Sequence, residues 1–179
     1  MRLIAGLALA LLLAVAPAFA RDLTTEEQAS LTKTIDDFNA AMSQGDMTAI
    51  AKAVPPKAMH YIATNAGVTD EQLMEALMAQ MESVMASVKI ESFSMDVAGA
   101  EHRELADGTP YLVIATETVI DMGETLGKTT ERSPTLAFMD EGIWYLMRMA
   151  DAEQLGILVG AYPEFAGVEF PPASTEKTP

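Results

Sequence analysis

The hydrophobic pattern of this chain changes period near Lys89, and that change constrains what it can fold into more than any other feature. Before Lys89, apolar residues recur at helical spacing. Leu31, Ile35, Phe38 and Met42 fall three or four apart, and Met74, Leu77, Met78, Met81, Val84, Met85 and Val88 form one wide stripe. After Lys89 the period is two. Phe93, Met95 and Val97 alternate with Ser94 and Asp96. Leu112, Ile114, Thr116, Thr118 and Ile120 fall on one face of a strand over Tyr111–Met122. Tyr111, Val113, Ala115, Glu117, Val119 and Asp121 fall on the other. Helices first and strands after predict an α+β domain, with the N-terminal helices packed on one face of an antiparallel sheet.

Local signals set the element ends. Thr24 followed by Glu27 is a capping box that opens the first helix, and Gly45 closes it. Asp46 caps a second, shorter helix with Ile50 and Val54 facing inward, ended by Pro55-Pro56. Met59-His60-Tyr61-Ile62 fits either a short strand or a further helical turn, before loop residues Asn65-Ala66-Gly67. Thr69 with Gln72 is a second capping box, and the helix it opens runs from Asp70 to about Val88. Ala106–Pro110 and Gly123–Gly127 are turns. Lys128–Met139 returns as a strand, Asp140-Glu141-Gly142 is a hairpin loop, and Ile143–Met149 is the next strand. Asp151–Gly160 fits a closing helix. Residues 171–179 carry Pro, Ser, Thr and Lys with nothing to pack, so a disordered tail is expected there.

Residues 1–20 read differently from the rest. Arg2 precedes an apolar run, Leu3–Val15, then Pro17 and the small residues of Ala18-Phe19-Ala20. This is the layout of a secretory signal peptide cut after Ala20, and the run is short for a membrane span. Its Ala/Leu-rich style resembles bacterial signals, so the expected location is the periplasm, with no stable membrane insertion. Residues 21–170 then make one domain, long enough to bury a core without staples. The chain has no cysteine, which excludes disulfides and thiolate metal sites. It carries 26 acidic residues against 11 Lys and Arg, a net charge of −15. Arg2 leaves with the signal, so the processed chain is more acidic still. Such a surface repels phosphate backbones and anionic lipids, which argues against nucleic acid as a partner. It tolerates cationic ligands or a basic protein partner, and it keeps an envelope protein soluble.

A first helix ending Phe38-Asn39-Ala40-Ala41-Met42-Ser43-Gln44-Gly45, followed by Asp46-Met47-Thr48-Ala49-Ile50, resembles the opening of the nuclear-transport-factor-2-like superfamily. Asp140-Glu141-Gly142 before Trp144-Tyr145-Leu146 is similar to that superfamily's late hairpin, and the order of elements matches from Thr24 to Met149. The resemblance implies a curved antiparallel sheet wrapped around helices, a cone with an open pocket. It implies no chemistry, because the superfamily includes isomerases, dehydratases, polyketide cyclases, export factors and non-catalytic envelope domains.

Two residues are candidates for acid–base work. Glu117 shares its strand face with Tyr111, Val113, Ala115 and Val119. In an apolar pocket its pKa would rise and it would suit a general base; on an outer face it is a solvated or cross-strand-paired carboxylate. His60 lies beside Met59 and Tyr61 just before a Gly-containing loop. At a pocket mouth it is an acid–base candidate; otherwise it is a hydrogen-bonded packing residue. Tyr61, Tyr111 and Tyr145 are candidate donors and ligand contacts, and Phe38 a candidate pocket wall or plug. His102 reads as a surface residue, and Glu101, His102 and Glu104 are spaced too loosely for a metal set. Thioethers are soft copper(I) ligands, yet Met74, Met78, Met81 and Met85 share a stripe with Leu77 and Val84. That is the pattern of a helix core face, with Met as adaptable filler, and a Met-lined wall also suits an apolar ligand. No Gly-x-Ser-x-Gly elbow or phosphate-cradling Gly-rich loop is present, and no cofactor is expected.

The leading expectation is therefore an exported non-catalytic binding or accessory domain for a small apolar ligand or an envelope protein. The alternative is a small cofactor-free acid–base enzyme, of isomerase, dehydratase or cyclase type, using Glu117 or His60. A homodimer through the sheet is also expected. Ile143, Tyr145, Met147 and Met149 make one apolar row, Trp144 and Leu146 another, and one set of helices cannot cover both.

Overall fold

A computed structural model describes residues 21–123 and 127–178, so the expected signal segment lies outside the described residues. Helix α1 spans Thr25–Gln44, α2 Met47–Lys52, α3 Pro56–Ala66 and α4 Asp70–Met85. Strands β1 (Lys89–Glu104), β2 (Pro110–Asp121), β3 (Lys128–Asp140) and β4 (Ile143–Arg148) follow. Helix α5 (Ala152–Ala161), a 3-10 turn (Pro163–Phe165) and β5 (Ser174–Thr178) complete the chain. The domain is α+β, as the change of period predicts. No helix among the described residues is long and apolar enough to cross a membrane.

Both predicted capping boxes form. Thr24 accepts from the Glu27 amide while Glu27 accepts from the Thr24 amide, and Thr69 and Gln72 do the same for α4. The segment around Met59 resolves as helix. Pro56 ends nothing there; it sits in the first turn of α3, where a missing amide hydrogen costs no bond. The β3–β4 hairpin turns through Glu141 and Gly142, at φ 52° and 81°. Positive φ at both central residues matches the twist of the strands.

The strands form one antiparallel sheet in the order β1-β2-β3-β4. Register shifts between Ile90 and Ser92 and between Asp96 and Glu101 interrupt β1 against β2. They explain why alternation in the sequence fades after Val97 although the strand continues to Glu104. The other edge of β3 is shared. β5 pairs with Lys128–Arg132 and β4 with Thr135–Asp140, and Pro134, which has no amide hydrogen, falls in the gap. The tail expected to be disordered is thus a fifth strand. Backbone pairing and an ion pair from Glu176 to Arg132 hold it, not apolar burial, so its composition gave no sign of it.

Helices cover both sheet faces, which corrects the expectation of one. On one face Leu31 and Ile35 of α1 cluster with Leu112, Ile114, Ala137, Trp144 and Leu146. On the other, Leu158 of α5, Tyr162 and Phe165 cluster with Tyr111, Val113, Leu136 and Phe138, joined by Ala58 of α3. Phe138 meets Tyr162 and Phe165 edge to face at 4.8 and 5.2 Å, and Tyr111 meets Phe165 at 5.4 Å. Each such pair adds about 0.5–1.5 kcal/mol beyond area burial. Of the row Ile143, Tyr145, Met147 and Met149 offered above as a dimer surface, the last three pack into this second cluster, while Ile143 is 56 % exposed. The chain's own C-terminal segment thus accounts for most of that row.

With both faces taken, α4 packs mainly on α3 and α2. None of its residues is buried, and Val84 is 48 % exposed. The Met stripe, whose spacing predicts a core face, is only half-covered.

Candidate functional site

The six residues singled out above do not converge. Glu117 faces Arg132 directly across β2 and β3, and the two form an ion pair at 2.8 Å. Arg132 also holds Glu176 at 3.1 Å; the bond to Glu176 and then the charge of Glu117 raise its pKa. Glu117 lines an open groove of about 390 Å³ with Ser94, Asp96, Glu101, Pro134 and Pro172. Its setting is a charged, half-open surface, not the apolar pocket that a general base needs.

His60 is 71 % exposed on α3, and its Nδ1 lies 3.1 Å from Asp70 at the start of α4. It shares a second groove, about 540 Å³, with Tyr61 and Gly160. There α3 crosses α5 so closely that a Cβ on Gly160 would overlap the Tyr61 ring. Phe38 and Tyr145 line a third groove of about 500 Å³ with Trp144 and Ile143. Phe38 is anchored edge to face on Phe93 at 5.6 Å, and the indole Nε1 of Trp144 donates to the Glu27 carbonyl at 3.1 Å. Tyr111 is buried against Phe165 and belongs to the core.

A polar cluster missed in the sequence joins three elements. Lys57 of α3 pairs with Asp140 at 2.6 Å, and the Tyr162 hydroxyl donates to the same carboxylate at 3.0 Å. Lys57 also lies 5.6 Å above the Tyr162 ring. Burial first, and then the Asp140 carboxylate, push the Tyr162 pKa up. The cluster ties the β3–β4 hairpin to the ends of α3 and α5. Its members are far apart in the chain, and Asp140 read only as a hairpin residue. On the opposite face Arg148 donates to Ser133 at 3.0 Å and Glu131 at 2.9 Å, beside a Thr116–Thr135 hydroxyl pair at 2.7 Å. In both clusters the cation, Lys57 or Arg148, is bonded to a carboxylate of the same chain.

A fourth groove, about 480 Å³, is apolar. It runs between α4 and the α1–α2 turn and is lined by Met47, Met78, Ala79, Glu82 and Met85 with Gly45. The left-handed φ of 66° at Gly45 turns the chain so that α2 starts at the groove wall. Sequence spacing marked Met78 and Met85 but assigned them to the core. Among the described residues, no group of three or more His, Asp or Glu is arranged to hold a metal ion. Comparison of the chain with protein-family models, with curated proteins and with solved structures finds no match.

Proposed function

We propose that this protein is an exported, non-catalytic binding or accessory domain of the bacterial envelope, and that it takes a small apolar ligand or a partner's apolar segment into the α4 groove. One observation carries the reading: the widest apolar stripe of the chain lies on a helix with no buried residue. An apolar face left half-covered beside an open groove is the physical mark of a surface kept for binding. Methionine suits it, because an unbranched thioether adapts to varied apolar shapes. The layout of residues 1–20 supports export to the periplasm, and four helices ahead of an antiparallel sheet accord with the nuclear-transport-factor-2-like resemblance.

The placement of Glu117 and His60 speaks against the acid–base alternative. They occupy separate grooves, and each is bonded to a charged neighbour, Glu117 to Arg132 and His60 to Asp70. The test is native mass spectrometry of the protein purified from the periplasm without denaturation, paired with an M78Q/M85Q variant. A chain beginning at Arg21 with an added mass or partner that the variant loses is the expected result. Binding unchanged in the variant removes the groove from the reading, and a chain still carrying residues 1–20 removes export.

A further inference from the structure

We infer that the occupant of the α4 groove is a cationic amphipathic segment of a protein partner, an inference that rests on the binding role proposed above. Charge placement on α4 supports it. Helix α4 carries Asp70, Glu71, Glu75 and Glu82 and no basic residue. At 3.6 residues per turn, Glu71, Glu75, Met78, Glu82 and Met85 fall within roughly 80° of one another around the helix. The acids therefore run alongside Met78 and Met85, the two α4 methionines that line the groove, and Glu82 lines it itself. Among the described residues no ion pair neutralises Glu71, Glu75 or Glu82 beside the groove. With a chain net charge of −15, these unneutralised acids favour a positive partner over a neutral one. An apolar face flanked by lysine or arginine matches both the groove and its acidic side.

The test uses the purified protein and two labelled synthetic helical peptides of about 18 residues, close to the length of α4. Both carry Leu at i, i+3, i+4 and i+7; one has Lys and the other Gln at the remaining positions. Three exposed ion pairs amount to about a tenfold difference in affinity, so the Lys peptide is expected to bind about tenfold tighter at low salt. The gap should close at high salt and in an E71Q/E75Q/E82Q variant, while M78Q/M85Q weakens both peptides. Equal affinity for the two peptides overturns the cationic partner and leaves the apolar groove standing. Lys-peptide binding that survives M78Q/M85Q is diffuse attraction to an acidic surface and overturns the inference. If neither peptide binds but a small apolar dye does, the groove belongs to a small ligand and the inference is overturned. If nothing binds, the binding role falls with it. Circular dichroism melts of each variant confirm that lost affinity is not lost fold.

Discussion

Helices α4 and α5 start from similar material and end differently. Both are amphipathic or apolar, and both are capped at the N-terminus by a side-chain oxygen, of Thr69 and Asp151. Yet Leu158 of α5 is fully buried in an aromatic cluster, whereas no residue of α4 is buried. The difference lies in what each helix has to pack on. α5 meets the sheet face carrying Phe138 and Leu136, while α4 packs mainly on α3 and α2. An apolar stripe thus identifies a helix and its sticky side, but the position of the sheet decides whether that side becomes core or remains available.

The sharpest way to break this contrast is one chemical change made in both places. L158A should cost about 2–5 kcal/mol in urea unfolding, because it opens a cavity in a packed cluster. L77A on α4 should cost about 1 kcal/mol, since a half-exposed side chain has less area to lose. Equal costs would show that α4 is as much core as α5. Next in size is Tyr162 at the end of α5. Y162F leaves the largely buried Asp140 oxygen without its donor, and a loss of about 1–2 kcal/mol is expected by the same measurement.

A smaller effect separates the two ends of α4. T69A removes the hydroxyl of its capping box and should cost about 1 kcal/mol. Hydrogen exchange should place that loss within α4 alone, with the amides of β2 and β3 unchanged, because a helix outside the core opens by itself. Loss of protection spreading to the strands would contradict the separation. The start of α1 offers the last contrast. There the capping box is charged: Glu27 is bonded by Arg21 at 2.6 Å and by the Thr24 amide, which lower its pKa from 4.5 to about 2. A depressed carboxylate stabilises the fold above its unfolded pKa and loses that contribution as pH falls toward the folded value. The first turn of α1 should therefore loosen between pH 4.5 and about 2. An E27Q variant should lack that step.

Much of the fold was legible because it rests on short-range chemistry. Thr24, Gly45, Asp46 and Thr69 mark helix ends whatever the tertiary structure, and the alternation in β2 survives because its pairing with β3 runs unbroken from Tyr111 to Asp121. The unclear segments each carry a physical reason. Pro56 breaks a helix in its middle but favours one at its start, so the sequence alone leaves Met59–Ile62 open. The register shifts of β1 displace its pattern, and β5 joins the sheet by backbone pairing, which leaves no apolar trace. The candidate site was the least legible part. That Arg132 faces Glu117, that Asp70 reaches His60, and that Lys57 and Tyr162 meet on Asp140 all depend on how distant segments come together. The Met stripe was visible as a stripe; that it stays half-buried on a helix outside the core was not.

The pairing of Ser174–Thr178 with β3 bears on how the protein stays apart from its own copies. Without those residues, Lys128–Arg132 would offer a row of open amides and carbonyls along the margin of the sheet, a ready template for a strand from a neighbouring molecule. β5 occupies that margin within the same chain, as a stopper seats in a bottle. A chain cut after Pro171 would keep both apolar clusters and their cohesion, so self-association, with growing particle size on storage, is the consequence to look for rather than unfolding.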